Sequence, residues 1–266
     1  MTSLSIVVPT YQRSDLVGRA LDSALAWLSM LSEAELIVVD DASTDGTAEV
    51  ISARYRAELE SGKMTLHRLV KNRGVTGAKN AGAAFASNAW IVFLDSDDRL
   101  IPEAALDVWD ELRDTAAPVV FFRCTDMASG ELIGACPPAA AEGGLRTLLS
   151  GWRWGECLPV VRREAALAFP YAEELRGYEG LAYARMVAAL GPARVSAVVA
   201  RRYDAGNHGR ETTASRLSRW RRHQHYTETM LSEFFPHLSP RMVVRYALSN
   251  LRARFDGLRA AFPTRG

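Results

Sequence analysis

Cysteine is scarce in this 266-residue chain: Cys124, Cys136 and Cys157 are an odd number, widely spaced, with no Cys-x-x-Cys pair. That pattern excludes a disulfide framework and a zinc ribbon, and the three are expected as buried thiols. Long apolar runs are missing too. No stretch approaches about 18 consecutive apolar residues, and Met1-Thr2-Ser3 leads straight into a strand, so neither a membrane span nor a signal peptide is expected. The expected location is the cytosol. The dinucleotide pattern Gly-x-Gly-x-x-Gly is absent, and Gly74 to Lys79 lacks the spacing and the following Ser or Thr of a P-loop. No regular aromatic-basic interleaving is present, so a nucleic-acid partner is not expected.

Net charge is also small, +1, but it hides an asymmetry. Residues 200–266 hold 13 arginines and 5 acidic groups, a balance of +8, which leaves −7 for residues 1–199. With 48% hydrophobic residues, the chain can bury a substantial core, as one large α/β domain or one domain with a helical appendage.

Leu4-Ser5-Ile6-Val7-Val8-Pro9 predicts a short strand closed by proline, followed by the loop Thr10 to Arg13. Ser14 is a candidate N-cap for a helix, since Val17, Ala20, Leu21, Ala24, Leu25 and Leu28 recur at helical spacing. Glu35 to Val39 predicts a second strand, ending in Asp40-Asp41-Ala42-Ser43-Thr44-Asp45-Gly46 before another helix from Thr47. Repetition of strand, polar turn and helix predicts right-handed β-α-β units and a parallel sheet whose turns gather on one edge. Met64 to Leu69 is a third strand. After it, Lys71-Asn72-Arg73-Gly74-Val75-Thr76-Gly77 leads into a small-residue helix over Ala78 to Phe85. A helix start behind a glycine-bearing loop can present backbone N–H groups to an anion, with charge added by Arg73 and Lys79. Equally, Arg73 can pair with nearby aspartates and the small residues can serve close packing.

The chain is organised around Trp90-Ile91-Val92-Phe93-Leu94-Asp95-Ser96-Asp97-Asp98, an apolar run that ends in three carboxylates. Apolar residues without alternation indicate a strand buried on both faces. Ligands of open α/β sheets bind outside the carboxyl ends of the strands, where Asp95, Asp97 and Asp98 would stand. Carboxylates so close together repel unless a cation joins them, and magnesium or manganese takes one or two carboxylates plus substrate phosphates. The alternative is an acidic turn that caps the helix over Pro102 to Arg113.

A strand over Pro118 to Arg123 follows, then a turn-rich stretch with a further strand near Glu131 to Cys136. Trp152 and Trp154 precede an apolar strand; exposed, they would stack on a sugar ring, and buried, they would fill a core. Glu179 stands just ahead of a helix over Leu181 to Leu190, where a carboxylate is stabilised as an N-cap. Val195 to Ala200 is another strand. Ser239 caps a last helix with Pro240 in its first turn; Val244, Leu248, Leu251, Phe255, Leu258 and Phe262 form an apolar stripe beside Arg245, Arg252 and Arg259. Such a helix docks on its own domain, pairs with a second subunit in a homodimer, or lies on the inner face of a membrane.

Taken together, Ile6 to Tyr11, Leu36 to Asp45, Asn72-Arg73-Gly74 with Lys79-Asn80, and Phe93 to Asp98 resemble the motifs of family-2 inverting glycosyltransferases of the GT-A fold. The resemblance covers roughly the first 125 residues. It implies a Rossmann-like sandwich with a mostly parallel central sheet, helices on both faces, and a C-terminal helical extension. Residues 1–125 would then bind a nucleotide-sugar donor, 126–210 an acceptor, and 211–266 would form the basic extension. By resemblance, the nucleotide, UDP above GDP or dTDP, would meet Pro9, Thr10, Tyr11, Arg13, Asp40, Asp41, Asn72, Gly74, Lys79, Asp95, Ser96 and Asp97. Manganese or magnesium would be held by Asp97 and Asp98, with Asp204 or His208 as a further ligand. Trp152, Trp154 and Tyr178 would shape the site for a glycan, lipid-linked or small-molecule acceptor. The family's general base lies in an x-Glu-Asp motif; here Gly180 replaces the second acid, which makes Glu179 the candidate, with Glu156, Glu173 and Glu174 in reserve. Two other readings compete: a catalytically impaired relative acting as a nucleotide-binding scaffold, and a sugar-phosphate nucleotidyltransferase. The latter would carry a Gly-rich basic loop after the first strand, where this chain has Pro9-Thr10-Tyr11-Gln12-Arg13.

Overall fold

The computed structural model describes residues 2–135, 139–149, 154–206 and 216–261, the side chains of 216–218 and 256–261 excepted. Its elements are β1 (Leu4–Thr10), α1 (Val17–Met30), β2 (Ala34–Asp40), α2 (Thr47–Arg54), α3 (Arg56–Glu60), β3 (Met64–Arg68), α4 (Gly74–Phe85), β4 (Trp90–Phe93) and β5 (Arg99–Leu100). They continue as α5 (Ala105–Arg113), β6 (Val119–Asp126), β7 (Ala141–Gly143), α6 (Leu145–Leu149), β8 (Cys157–Arg162) and α7 (Arg163–Ala168). The last are α8 (Gly180–Leu190), β9 (Ala193–Tyr203), α9 (Arg216–Phe234) and α10 (Pro240–Ala261).

The nine strands among the described residues join one sheet in the order β3-β2-β1-β4-β8-β6-β9-β5, with β7 on β9. The β3-β2-β1-β4 half is parallel throughout; Val7 lies opposite Ile37 on β2 and Phe93 on β4. Beyond it β8 runs antiparallel to both β4 and β6. Because successive strand side chains point to opposite faces, Leu4, Ile6 and Val8 enter a core under α1, α2 and α5, while Val7 enters another under α4, α7 and α8. This makes the sheet the middle layer of a sandwich with helices on both faces. A third cluster, Leu149, Leu175, Leu181, Met230, Phe234 and Met242, fastens the α9–α10 hairpin to the body.

Two local expectations change. The strand near Glu131 to Cys136 is reduced to one bridge between Thr125 and Leu132, because Gly134 has φ +74° and lies against the backbone of Trp154 and Gly155. Ser14 does not cap α1: Leu16 holds the N-cap position, and the Ser14 N–H instead donates to Asp45 Oδ2 at 3.2 Å. Cys124 and Cys157 are buried thiols; Cys136 lies outside the described residues.

Candidate active site

Parallel strands β1, β2 and β4 end side by side, and their loops line a cavity of about 640 Å³. Hydrogen bonds of Ser43, Asp45 and Thr47 to the backbone of residues 12–14 join two of these loops, and the Gln12 side chain adds three more. The Gln12 Oε1 atom accepts from the Thr44 and Asp45 N–H groups at 2.9 and 3.0 Å, and its Nε2 donates to Thr44 Oγ1 at 3.1 Å. Holding that link places Gln12 at φ 54° and Ala42 at φ 62°, left-handed conformations uncommon outside glycine. Strain of this kind persists where the surroundings over-determine it and clusters at ligand sites. Pro9, Thr10, Tyr11 and Arg13 line the cavity, and Tyr11 is exposed.

Asp40 and Asp41 are adjacent but turn opposite ways, as consecutive residues at a strand end must. The Asp40 carboxylate is sealed inside, accepting from the Ser43 N–H at 3.1 Å and lying 3.4 Å from Arg68 Nε. It closes a turn and does not line the cavity, which corrects its expected place at the nucleotide. Asp41 does line it, and accepts from the N–H groups of Arg73 at 2.7 Å and Gly74 at 2.6 Å. Burial pushes the Asp41 carboxyl up from its usual range, and those two N–H bonds pull it back.

Asp41 thus takes two of the N–H groups at the start of α4 that were expected to meet a phosphate, those of Arg73 and Gly74. The Arg73 side chain is also engaged, forming an ion pair with Glu173. Gly74 has φ +75°, and a Cβ there would overlap the Arg176 guanidinium, so glycine lets Arg176 lie against the loop and line the cavity with Asn72. Lys79 is buried, its Nζ 2.8 Å from Asp95 Oδ1. Burial alone would lower the ammonium's pKa; Asp95, Glu179 and Tyr183 outweigh it and hold Lys79 above the ordinary lysine range.

The acidic strand end divides. Asp95, Ser96 and Asp97 line the cavity, whereas Asp98 is fully buried, 3.0 Å from Arg201 Nη1 and accepting the Asp204 N–H at 2.9 Å. Burial pushes the Asp98 carboxyl up to about 7, and the Arg201 guanidinium offsets only part of that rise. Asp98 is thus neutralised from within, by a cation that keeps its proton, and this corrects its expected role as a metal ligand. The Asp204 carboxylate also has a cation of the protein's own, pairing with Arg19 at 2.7 Å. His208 lies outside the described residues, and among those described no group of three His, Cys, Asp or Glu side chains converges on one point. What remains, Asp95 and Asp97 at the cavity wall, is a hard oxygen donor pair suited to a divalent ion that shares its shell with phosphates.

A second cavity, about 390 Å³, adjoins the first. Lys79, Asp95 and Glu179 line both. Glu179 precedes α8 but its side chain does not cap the helix, contrary to the structural reading of its position. Of the reserve acids, Glu173 is held by Arg73, Glu174 is exposed, and Glu156 lines the second cavity while paired with Arg201 at 3.0 Å. Phe93, Phe121, Tyr183, Tyr226 and Met230 supply this cavity's apolar wall. The expected aromatic residues do not. Trp154 is buried in the core beneath α8, Trp152 lies outside the described residues, and Tyr178 stacks on Tyr226 at 4.3 Å with its hydroxyl 2.8 Å from His223 Nδ1, facing α9. Arg176 and Arg201 were not anticipated as site residues. For Arg201, the Arg-Arg pair at the end of an apolar strand, in a chain whose acidic cluster needed a counterion, was the available signal; for Arg176 there was none.

The sheet and its flanking helices have the GT-A fold of the solved glycosyltransferase structures named below. Residues 5–131, just under half of the chain, match the sequence profile described as Glycosyl transferase family 2. The chain is 38% identical over 100 residues to the succinoglycan biosynthesis protein ExoO of Rhizobium meliloti, covering 38% of this chain and 27% of the relative. It is 33% identical over 103 residues to the poly(ribitol-phosphate) beta-glucosyltransferase of Bacillus spizizenii, covering 39% of this chain and 16% of the relative. The chain thus matches only a minor part of the length of these relatives. Among solved structures, it is similar to S. aureus TarS 1-349 in complex with UDP-GlcNAc, with a TM-score of 0.68 at 20% identity over 86% of this chain and 67% of that one. It is similar also to the mannosyltransferase PcManGT of Pyrobaculum calidifontis in complex with GDP-Man and Mn2+, with a TM-score of 0.61 at 18% identity over 98% and 76% of the two chains.

Proposed function

We propose that the chain is an inverting glycosyltransferase that moves a sugar from a nucleoside-diphosphate donor, UDP-linked by preference, to a hydroxyl of a glycan, lipid-linked or small-molecule acceptor. One observation carries this reading: two cavities, of about 640 and 390 Å³, meet at Lys79, Asp95 and Glu179. The larger would take the nucleotide, with Tyr11 against the base, Asp41 near the ribose and Arg176 facing the diphosphate. The smaller would take the acceptor. At the junction Glu179 accepts the proton of the attacking hydroxyl, which must be lost as the new bond to the anomeric carbon forms. Lys79 stays protonated beside Asp95 and offers positive charge toward the departing diphosphate. A divalent ion, when bound, would be held by Asp95 and Asp97 and supply Lewis-acid stabilisation of that leaving group. UDP-GlcNAc in TarS and Mn2+ in PcManGT support the donor class and the ion.

The test is donor hydrolysis and transfer measured across a panel of UDP-, GDP- and dTDP-sugars with manganese. Turnover of one donor class that ends on Glu179→Gln supports the reading. Nucleotide binding without turnover of any donor, in the wild type as in the variant, would leave a nucleotide-binding scaffold instead.

A further inference from the structure

Helix α10 shows two unlike faces. Met242, Asn250 and Ala253 are buried toward α9 and the body, and Asn250 Nδ2 donates to Thr227 Oγ1 at 2.9 Å. On the opposite face Val244, Leu248, Leu251 and Phe255 are 57, 61, 51 and 59% exposed, an apolar stripe left uncovered by the described residues. Exposed arginines, Arg241, Arg245 and Arg252, run beside it, and no acidic residue occurs from Pro240 to Phe255.

Beside that row the α9–α10 crease opens into a groove of about 540 Å³, lined by Tyr178, Arg219, Trp220, His223, Ser249 and Arg252. Its histidine is fixed, with Nε2 2.6 Å from Ser249 Oγ. The Trp220 indole N–H is buried and has no hydrogen-bond partner among the described residues. A buried donor left unmade is costly, and Arg219 and Arg252 line the same groove, the chemistry that receives a phosphate oxygen.

We propose that the outer face of α10 seats on an anionic lipid surface, with a headgroup phosphate in the groove at Trp220, Arg219 and Arg252. Charge decides between occupants. A second copy packed antiparallel on the stripe would set arginine rows against arginine rows, a repulsive pairing. An anionic leaflet neutralises the same row while the apolar side chains enter the acyl boundary. Tyr178 lines the groove, and Tyr226, stacked on it, lines the 390 Å³ cavity, so the docked face is one aromatic layer from the cleft. Docking itself does not depend on the donor chemistry proposed above.

Flotation of the full chain with phosphatidylcholine vesicles, with and without phosphatidylglycerol, tests it. Retention is expected on the anionic vesicles only and should fall with added salt. Leu248→Asp with Leu251→Asp should abolish it, and Arg245→Glu should weaken it on the order of tenfold. These positions are exposed, and each variant is checked for unchanged melting and an unchanged nucleotide response. Trp220→Phe should retain less than the wild type, and inorganic phosphate at millimolar concentration should not displace the bound chain. Equal retention by neutral vesicles, retention that survives both sets of substitutions, or displacement by free phosphate overturns the proposal. A dimer in sedimentation equilibrium that Leu248→Asp dissociates, without vesicle retention, would assign the face to a second copy.

Discussion

Glu179→Gln keeps the size of the side chain and removes its capacity to take a proton, so binding and chemistry separate at this residue. Loss of general-base assistance costs about 10²- to 10⁴-fold in rate. Turnover is expected to fall by at least the lower figure, with the nucleotide-induced rise in melting temperature retained; an unaltered rate would move the base to another group. Arg201 is a different kind of residue, acting within the protein. It is 1% exposed and sits between Asp98 and Glu156, so Arg201→Met leaves the Asp98 charge buried without its cation. Breaking one half of a buried pair costs about 3–5 kcal/mol, and urea denaturation should show a loss of that order. A loss under about 1 kcal/mol would mean that the pair is solvated or that Asp98 is protonated.

At the scale of elements, the cleft depends on how closely α4 lies on the sheet. A Cβ at Gly82 would overlap Val7 on β1, so Gly82→Ala forces helix and strand apart. Overpacking of this kind costs about 1–3 kcal/mol, read as a lowered melting temperature; no change would show that the layer has slack. The loop before α4 is tied to the segment before α8 by Arg73 and Glu173. Hydrogen bonding by Arg73 holds the Glu173 carboxyl below its ordinary 4.5. The folded state therefore binds fewer protons than the unfolded one near that pH; the stabilisation is complete above the unfolded value and is lost as pH falls through the folded one. Both side chains are more than a third exposed, so the effect is at most about 1 kcal/mol. Melting of Glu173→Gln between pH 6 and about 3 should fall less steeply than that of the wild type; parallel curves would remove Glu173 from the acid response.

Across the whole molecule, elements whose side chains lie in one uniform environment were legible in the sequence. Leu4 to Pro9, Glu35 to Val39 and Trp90 to Phe93 are apolar runs without alternation because both faces of those strands are covered. Strand ends gathered on one edge followed from the repeated strand, turn and helix. Side-chain direction at those ends was not legible, because partners distant in the chain set it: Arg201 draws Asp98 inward, Arg19 takes Asp204, and His223 receives Tyr178. Helix α9, polar over most of its length, gives little periodic signal; what places it is its contact with α10 and the cluster around Met230 and Phe234.

The claim on which all else rests is that the cavity walled by Tyr11, Asp41, Asp95 and Asp97 binds a nucleoside diphosphate. Its most direct measurement is the melting temperature of the full chain with UDP, GDP and dTDP, with and without manganese, beside Asp97→Ala. A ligand bound only by the folded state at 100 times its Kd adds about 2.7 kcal/mol. The account predicts a rise with one diphosphate, enlarged by manganese in the wild type and not enlarged in Asp97→Ala; a flat response to all three, with and without the metal, would contradict it.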